Sequence, residues 1–165
     1  MTRVRAFIAM AGVATGLTML TGSTFAQSAK DLEGTWFAVS NETTAPDGKK
    51  SLPFGPDPQG ILMFDSAGNY SLQICSSKRP KFAGNNRIEG TPEENKAAVT
   101  GCNPHWGRYT VNDGAIVFKI EHAMYANWEG TEQKRKFTLS GDQLTYHVPA
   151  ASTGGTAELV WKRAK

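Results

Sequence analysis

Beyond Gly34 the apolar residues recur at every second position in short bursts, and Gly, Asn, Asp and Pro separate the bursts. Side chains alternate across a strand, so a period of two marks strands that bury one face. Eight segments carry it: Gly34 to Glu42, Gln59 to Asp65, Asn69 to Cys75, His105 to Asn112, Ala115 to His122, Thr131 to Ser140, Gln143 to Val148 and Thr156 to Arg163. The connections Asp65-Ser66-Ala67-Gly68, Asn112-Asp113-Gly114 and Ser140-Gly141-Asp142 supply the residues that tolerate positive φ in hairpin turns. The pattern predicts an all-β fold of antiparallel neighbours, a sandwich or a barrel.

Two connections are longer. Thr43 to Pro58 holds Pro46, Gly48, Pro53, Gly55, Pro56 and Pro58 and is expected to be a loop without regular structure. Arg79 to Ala97 interrupts the strand pattern with a sharp helix start, in which Thr91 caps, Pro92 takes the first helical position and Glu94 closes a capping box, with Gly101 at the end. A helix of two or three turns does not stand alone in water, so it is expected to pack on the strands.

The apolar parity names the inner faces. Trp36 and Ala38, Tyr70 with Leu72 and Ile74, His105 with Tyr109 and Val111, and Leu144 with Tyr146 and Val148 each share one. In Ala115 to His122 the set Ile116, Phe118, Ile120 carries on to His122, which is therefore expected to point inward. In the next strand Phe137 and Leu139 set the parity, so Gln133 and Arg135 also face the interior. Strands that run alternately up and down gather His105, His122, Gln133, Cys75 and the helix-bearing connection at one polar end, and Trp36, Trp161 and Arg163 at the other.

The first 26 residues change the picture of where the chain works. Arg3 and Arg5, the apolar run Ala6 to Leu20, and Thr24-Phe25-Ala26 form the pattern of a secretory signal cleaved after Ala26, leaving 27–165 as one domain. The run is too short and too broken by Gly12, Thr15 and Gly16 for a membrane span, so none is expected in the mature chain. The formal charge of +3 includes Arg3 and Arg5; without them 16 basic residues face 15 acidic ones, which makes no electrostatic case for nucleic acid. The location expected is periplasmic or secreted. In that oxidising setting Cys75 and Cys102, the two cysteines of the chain, are expected to form a disulfide, and their strand-end positions favour it.

The order of short motifs resembles a known family. Gly34-Thr35-Trp36 with Arg163 is similar to the lipocalin closed end. More specific are Gly68-Asn69-Tyr70-Ser71, Arg79-Pro80-Lys81-Phe82-Ala83, Arg87 with Gly90-Thr91-Pro92-Glu93-Glu94, Gly107-Arg108-Tyr109-Thr110-Val111, Asn127-Trp128-Glu129-Gly130-Thr131-Glu132-Gln133-Lys134-Arg135 and Leu159-Val160-Trp161-Lys162-Arg163. In that order they resemble the bacterial lipocalin-like domain family over nearly the whole mature chain, with departures at Ala123-Met124-Tyr125-Ala126 and at the cysteines. The resemblance implies an eight-stranded, up-and-down antiparallel barrel with a central cavity and one short helix at its open end. It brings no assigned activity.

Such a barrel either fills itself with side chains or holds one small ligand. The ligand expected is small and hydrophobic, with an acidic group near Arg135, and the ligand-binding candidates are His122, Arg135, Gln133, Tyr70, Tyr109, Trp128, Arg79 and Arg87. A buried guanidinium needs a partner, either a ligand acid or a protein one such as Glu129. Arg79 and Arg87 flank the helix, where they either clamp an anion or stay solvated, and Phe82 is expected to anchor the loop on the barrel. Two alternatives stand beside the binder: a barrel enzyme of isomerase or cyclase type using His122, Tyr109 or Tyr125 with Arg135, and a packed barrel acting through its surface. No cofactor fingerprint or catalytic elbow occurs, and His105 with His122 lack the spacing of a metal motif, so neither cofactor nor metal is expected. The oligomeric state is not legible.

Overall fold

The computed structural model describes residues 27–165, so the signal segment, 1–26, lies outside the described residues. The chain runs α1 (Ala29–Leu32), β1 (Gly34–Thr44), β2 (Lys50–Ser51), β3 (Pro58–Phe64), β4 (Asn69–Ser76), α2 (Pro92–Thr100), β5 (His105–Asn112), β6 (Ala115–Ala123), a single 3₁₀ turn (Ala126–Trp128), β7 (Glu132–Ser140), β8 (Gln143–Val148) and β9 (Thr156–Arg163). Every pairing between consecutive long strands is antiparallel, and β9 closes back on β1 from Trp36↔Arg163 to Thr44↔Thr156. The result is a closed eight-stranded barrel, which leaves no edge among its long strands.

The expectation for Thr43 to Pro58 needs correction. β1 runs on to Thr44, and the two-residue strand β2 folds back on it with Thr43↔Ser51 and Thr44↔Lys50. A turn at Asp47-Gly48 makes this possible, with Gly48 at φ 83° and Ala45 N donating to Lys49 O. Phe54, from the remainder of this connection, is buried and lines the barrel mouth.

One end is shut by α1, a turn that the strand pattern did not announce. Leu32 is fully buried there, and the Trp36 indole donates to Leu32 O at 2.8 Å. Arg163 lies over the Trp36 ring at 4.0 Å and donates to Glu33 O and Asp31 O. The guanidinium thus satisfies two carbonyls at the end of α1 while stacking on an aromatic face. Tyr109 belongs to this end as well, with its hydroxyl on Asp65 O at 3.1 Å and its ring 4.6 Å from that of Phe64.

Two bulges interrupt the ladders. Between Ala38 and Ser40 the register of β1 on β9 slips by one residue, and between Trp106 and Gly107 that of β5 on β6 does the same. A bulge reverses which side chains face the interior beyond it. On β6 the extra residue is Glu121, because Trp106 pairs with His122 and Gly107 with Ile120. Gly107 is required there, since a Cβ on it would stand 2.2 Å from Lys119 O.

The cysteines are joined as expected, Cys75 to Cys102, at the point where β4 ends and β5 is about to begin. Backbone bonds Ser76 N to Gly101 O and Asn103 N to Ile74 O, both 2.8 Å, hold the same junction. The capping box of α2 forms as read, with Glu94 accepting from Thr91 N and Thr91 Oγ1 accepting from Glu94 N. The packing of α2 differs from expectation: none of its residues is buried, and it reaches the barrel only through its last turn. Phe82 lies against Gly90 of its own loop, where a Cβ would stand 2.3 Å from the ring, and it is not among the side chains packed on the barrel core. The loop holds itself together instead, through Glu94 accepting also from Ala83 N at 2.7 Å.

Candidate ligand-binding cavity

The open half of the barrel contains a cavity of about 270 Å³. That is well above the roughly 150 Å³ that an engineered apolar cavity needs to admit benzene. Its walls are mainly apolar, with Leu72, Ile74, Phe118, Tyr146, Val148 and Leu159 from four strands. Phe54, Val99, Met124 and Tyr125 surround the mouth region, so an apolar solute can reach the interior past apolar side chains.

Polar groups enter this space at few points. Gln133 and Arg135 project from β7 as their parity requires, and both line the cavity. The Arg135 guanidinium donates to Gln133 Oε1 and to Lys134 O, and no carboxylate lies within ion-pair distance of it among the described residues. Glu129, the protein acid considered for it, is engaged elsewhere, 3.4 Å from His122 Nδ1 and accepting from Ala123 N. Burial in the wall lowers the Arg135 pKa from its usual value, while the Tyr146 and Tyr70 phenols nearby push it the other way. The cavity therefore holds a positive charge without a counter-ion among the described residues.

Within electrostatic reach of Arg135, Tyr70 on β4 and His105 on β5 share a buried hydrogen bond of 2.8 Å between the phenol oxygen and Nδ1. Burial, helped by the charge on Arg135, lowers His105 from 6.5 to about 4, so the imidazole is neutral at physiological pH. Burial also raises the phenols of Tyr70 and Tyr146 far above their ordinary value, which keeps both protonated and able to donate. Trp128 meets the His105 ring edge-on at 5.7 Å, and Tyr125 meets Trp128 edge-on at 5.6 Å, forming an aromatic chain from the interior to the rim. On the remaining wall, Asn41 and Thr43 of β1 line the cavity, and both are almost fully buried.

Of the eight sequence candidates, Gln133, Arg135 and Trp128 line the cavity, and Tyr70 stands behind its wall through His105. The others lie elsewhere. His122 sits on the outer wall, its ring tilted against that of Trp106 at 4.9 Å, because the bulge at Glu121 turns it out of the apolar face. Tyr109 faces inward but at the closed end. Arg79 is held at the disulfide, donating to Ser76 O and reaching Cys102 Sγ at 2.9 Å, and Arg87 is exposed on the loop before α2. Sequence reasoning left out Asn41 and Thr43, which a strand without a bulge would turn outward, and did not promote His105, whose inward parity was legible. His105 and His122 fall on opposite faces of the wall, and no cluster of three metal-ligating side chains occurs among the described residues.

A 4'-hydroxy-3'-methoxypropiophenone carrier protein of Aspergillus oryzae is 32% identical over 82 residues, which cover 45% of this chain and 74% of the carrier. Among solved structures, a lipocalin-like protein from Bacteroides uniformis is 15% identical, with 81% of this chain and 99% of that one aligned at a TM-score of 0.44. The fluorescent protein UnaG is 12% identical, with 82% and 99% aligned at a TM-score of 0.40. The sequence profile of the lipocalin-like domain matches residues 33–164, from the end of α1 through β9, and the chain belongs to that family.

Proposed function

We propose that the protein is an exported binder or carrier of a small, largely apolar molecule whose acidic group docks on Arg135. The observation that carries this is the guanidinium itself, half-buried in an apolar cavity with Gln133 beside it and no carboxylate among the described residues to neutralise it. A buried charge is costly until something pairs with it, and a ligand carboxylate or other oxyanion pairs with a guanidinium better than a neutral group does. Gln133 orients the guanidinium, Tyr146 and Trp128 offer aromatic surface, and the neutral His105–Tyr70 pair adds no second charge to the site. The similarity to a fungal carrier of an aryl ketone supports a small aromatic cargo. Export rests on the signal-like first 26 residues and fits the Cys75–Cys102 bridge, since disulfides persist outside the reducing cytosol.

The enzymatic alternative loses its assembly in this fold. His122 is outside the barrel, Tyr109 is at the closed end and Tyr125 is at the rim, so these groups do not converge on one reacting atom with Arg135.

Calorimetric titration with 2-naphthoate tests the binding reading. Saturable one-to-one binding is expected, weakened about ten-fold or more in Arg135→Gln, the scale of a lost charge-assisted hydrogen bond. Binding that is absent, or that is indifferent to Arg135→Gln, refutes it.

A further inference from the structure

The cavity has a second polar pole, and the geometry points to its use: we propose that Asn41 takes a neutral hydroxyl or amide at the end of the ligand remote from Arg135. The ligand class is then narrower than an apolar acid. It is a slender apolar or aromatic body with an acidic group at one end and a hydrogen-bonding group at the other. This inference rests on the acid-binding reading above.

Asn41 is 7% exposed and its side-chain amide has no hydrogen-bond partner among the described residues, with Oδ1 enclosed and unsatisfied. Buried amides without partners are rare, and each one asks for an explanation. The other enclosed polar atom of this kind, the Trp161 indole nitrogen, already approaches the Tyr146 phenol without reaching hydrogen-bond geometry. Asn41, unlike Trp161, lines the cavity directly.

Its position is not an accident of strand parity. Trp36 and Ala38 face inward on β1, and in a regular strand Asn41 would face solvent with Val39. The slip between Ala38 and Ser40 turns Asn41 and Thr43 inward together, so the fold spends a bulge on placing an amide and a hydroxyl in the cavity wall. Asn41 pairs with Leu159 of β9, Leu159 with Tyr146 of β8, and Tyr146 with Phe137 of β7, the strand that bears Arg135. Two strands thus separate the two poles around the barrel, and the apolar side chains of Leu159 and Tyr146 lie between them. A half-turn of the amide exchanges its oxygen and nitrogen, so Asn41 can meet a donor or an acceptor.

A matched pair of probes separates the two poles. 6-Hydroxy-2-naphthoate carries both groups at opposite ends of a rigid body, and 2-naphthoate carries the acid alone. Calorimetry on the full chain is expected to show the hydroxylated probe binding about five-fold tighter, the scale of one neutral hydrogen bond. Asn41→Leu should erase that difference, so that the two probes bind the variant equally, and should raise the thermal midpoint of the empty protein, because an unsatisfied amide has gone. Asn41→Ala makes the same affinity comparison where the leucine does not fit. A preference for the hydroxylated probe that survives in both variants, or no preference in the unsubstituted protein, overturns the inference and leaves the acid site intact. Failure of 2-naphthoate itself to bind, or its indifference to Arg135→Gln, overturns the acid site and this inference with it.

Discussion

Acidification should unfold this barrel from the inside, through His105. The imidazole is buried against Tyr70, Phe118 and Trp128 and near Arg135, and burial is the main reason its pKa falls from 6.5 to about 4. Because the folded value lies below the unfolded one, the folded state binds fewer protons between the two. The stability that this neutral imidazole contributes is intact above about pH 6.5 and drains away as pH falls towards 4. At about 1.36 kcal/mol per pH unit, the loss from neutrality to roughly pH 4.5 is about 2.5 kcal/mol. In a domain of this size that corresponds to about 10 °C in thermal midpoint. Urea unfolding at several pH values through this window measures it, with His105→Gln as the comparison. An amide can still bond the Tyr70 hydroxyl but does not titrate, so the variant should show a much flatter profile over the same range. His122 and His147, exposed beside Glu129 and Glu158, are present in both proteins and cancel in the difference. The carboxylates of Asp31, Asp65 and Glu94, each held below the usual range by hydrogen bonds from backbone or side-chain donors, lose their contribution only at lower pH. An equal slope in the two proteins would refute the assignment of this window to His105.

Two further outcomes concern the frame around the cavity. Reducing the Cys75–Cys102 bridge, which spans 27 positions, should cost about 3.5 kcal/mol by the chain-entropy relation, measured as the shift in urea midpoint with and without a dithiol; a shift under about 1 kcal/mol would show that the backbone bonds at that junction hold the loop without it. Gly107→Ala should cost about 2 kcal/mol or more, because its Cβ would stand 2.2 Å from Lys119 O and the bulge would have to open; an unchanged denaturation midpoint would mean that the close approach relaxes freely.

Most of the frame was legible because each long strand carries enough apolar residues to state its own parity. Phe137 and Leu139 alone place Gln133 and Arg135 inside, and the structure agrees along all of β7. The turn at Asn112-Asp113-Gly114 was equally legible, and both Asp113 and Gly114 take the positive φ that it demands. Helix α1 escaped notice because a single turn has no periodicity to read, although Ser28 followed by Asp31 is a capping pair, with Asp31 Oδ2 accepting from Ser28 N at 2.7 Å. For α2 the start signal was sound and the packing inference was not. A short helix that the rest of its loop ties down, through Glu94 and the disulfide, does not need to bury a face.

The site was less legible than the frame, and the two bulges explain why. Parity extrapolates safely only while apolar residues keep confirming it. On β6 the last such residue is Ile120, and the bulge at Glu121 falls just after it, so His122 looked like a continuation of the interior and lies outside. On β1 the last is Ala38, and the slip that follows carries Asn41 and Thr43 from the expected outer face to the inner one. In both strands the bulge falls where apolar marking gives out, near the open end, and in both it determines which polar group the cavity receives. Gly107 was the available signal on β5, since a glycine inside a strand pattern marks a bulge or a close backbone approach. For β1 no glycine marks the slip, and only the register with β9 reveals it. The chemistry of the cavity is therefore set by two insertions of one residue each, which exclude a titratable imidazole and admit an amide that nothing in the described protein satisfies.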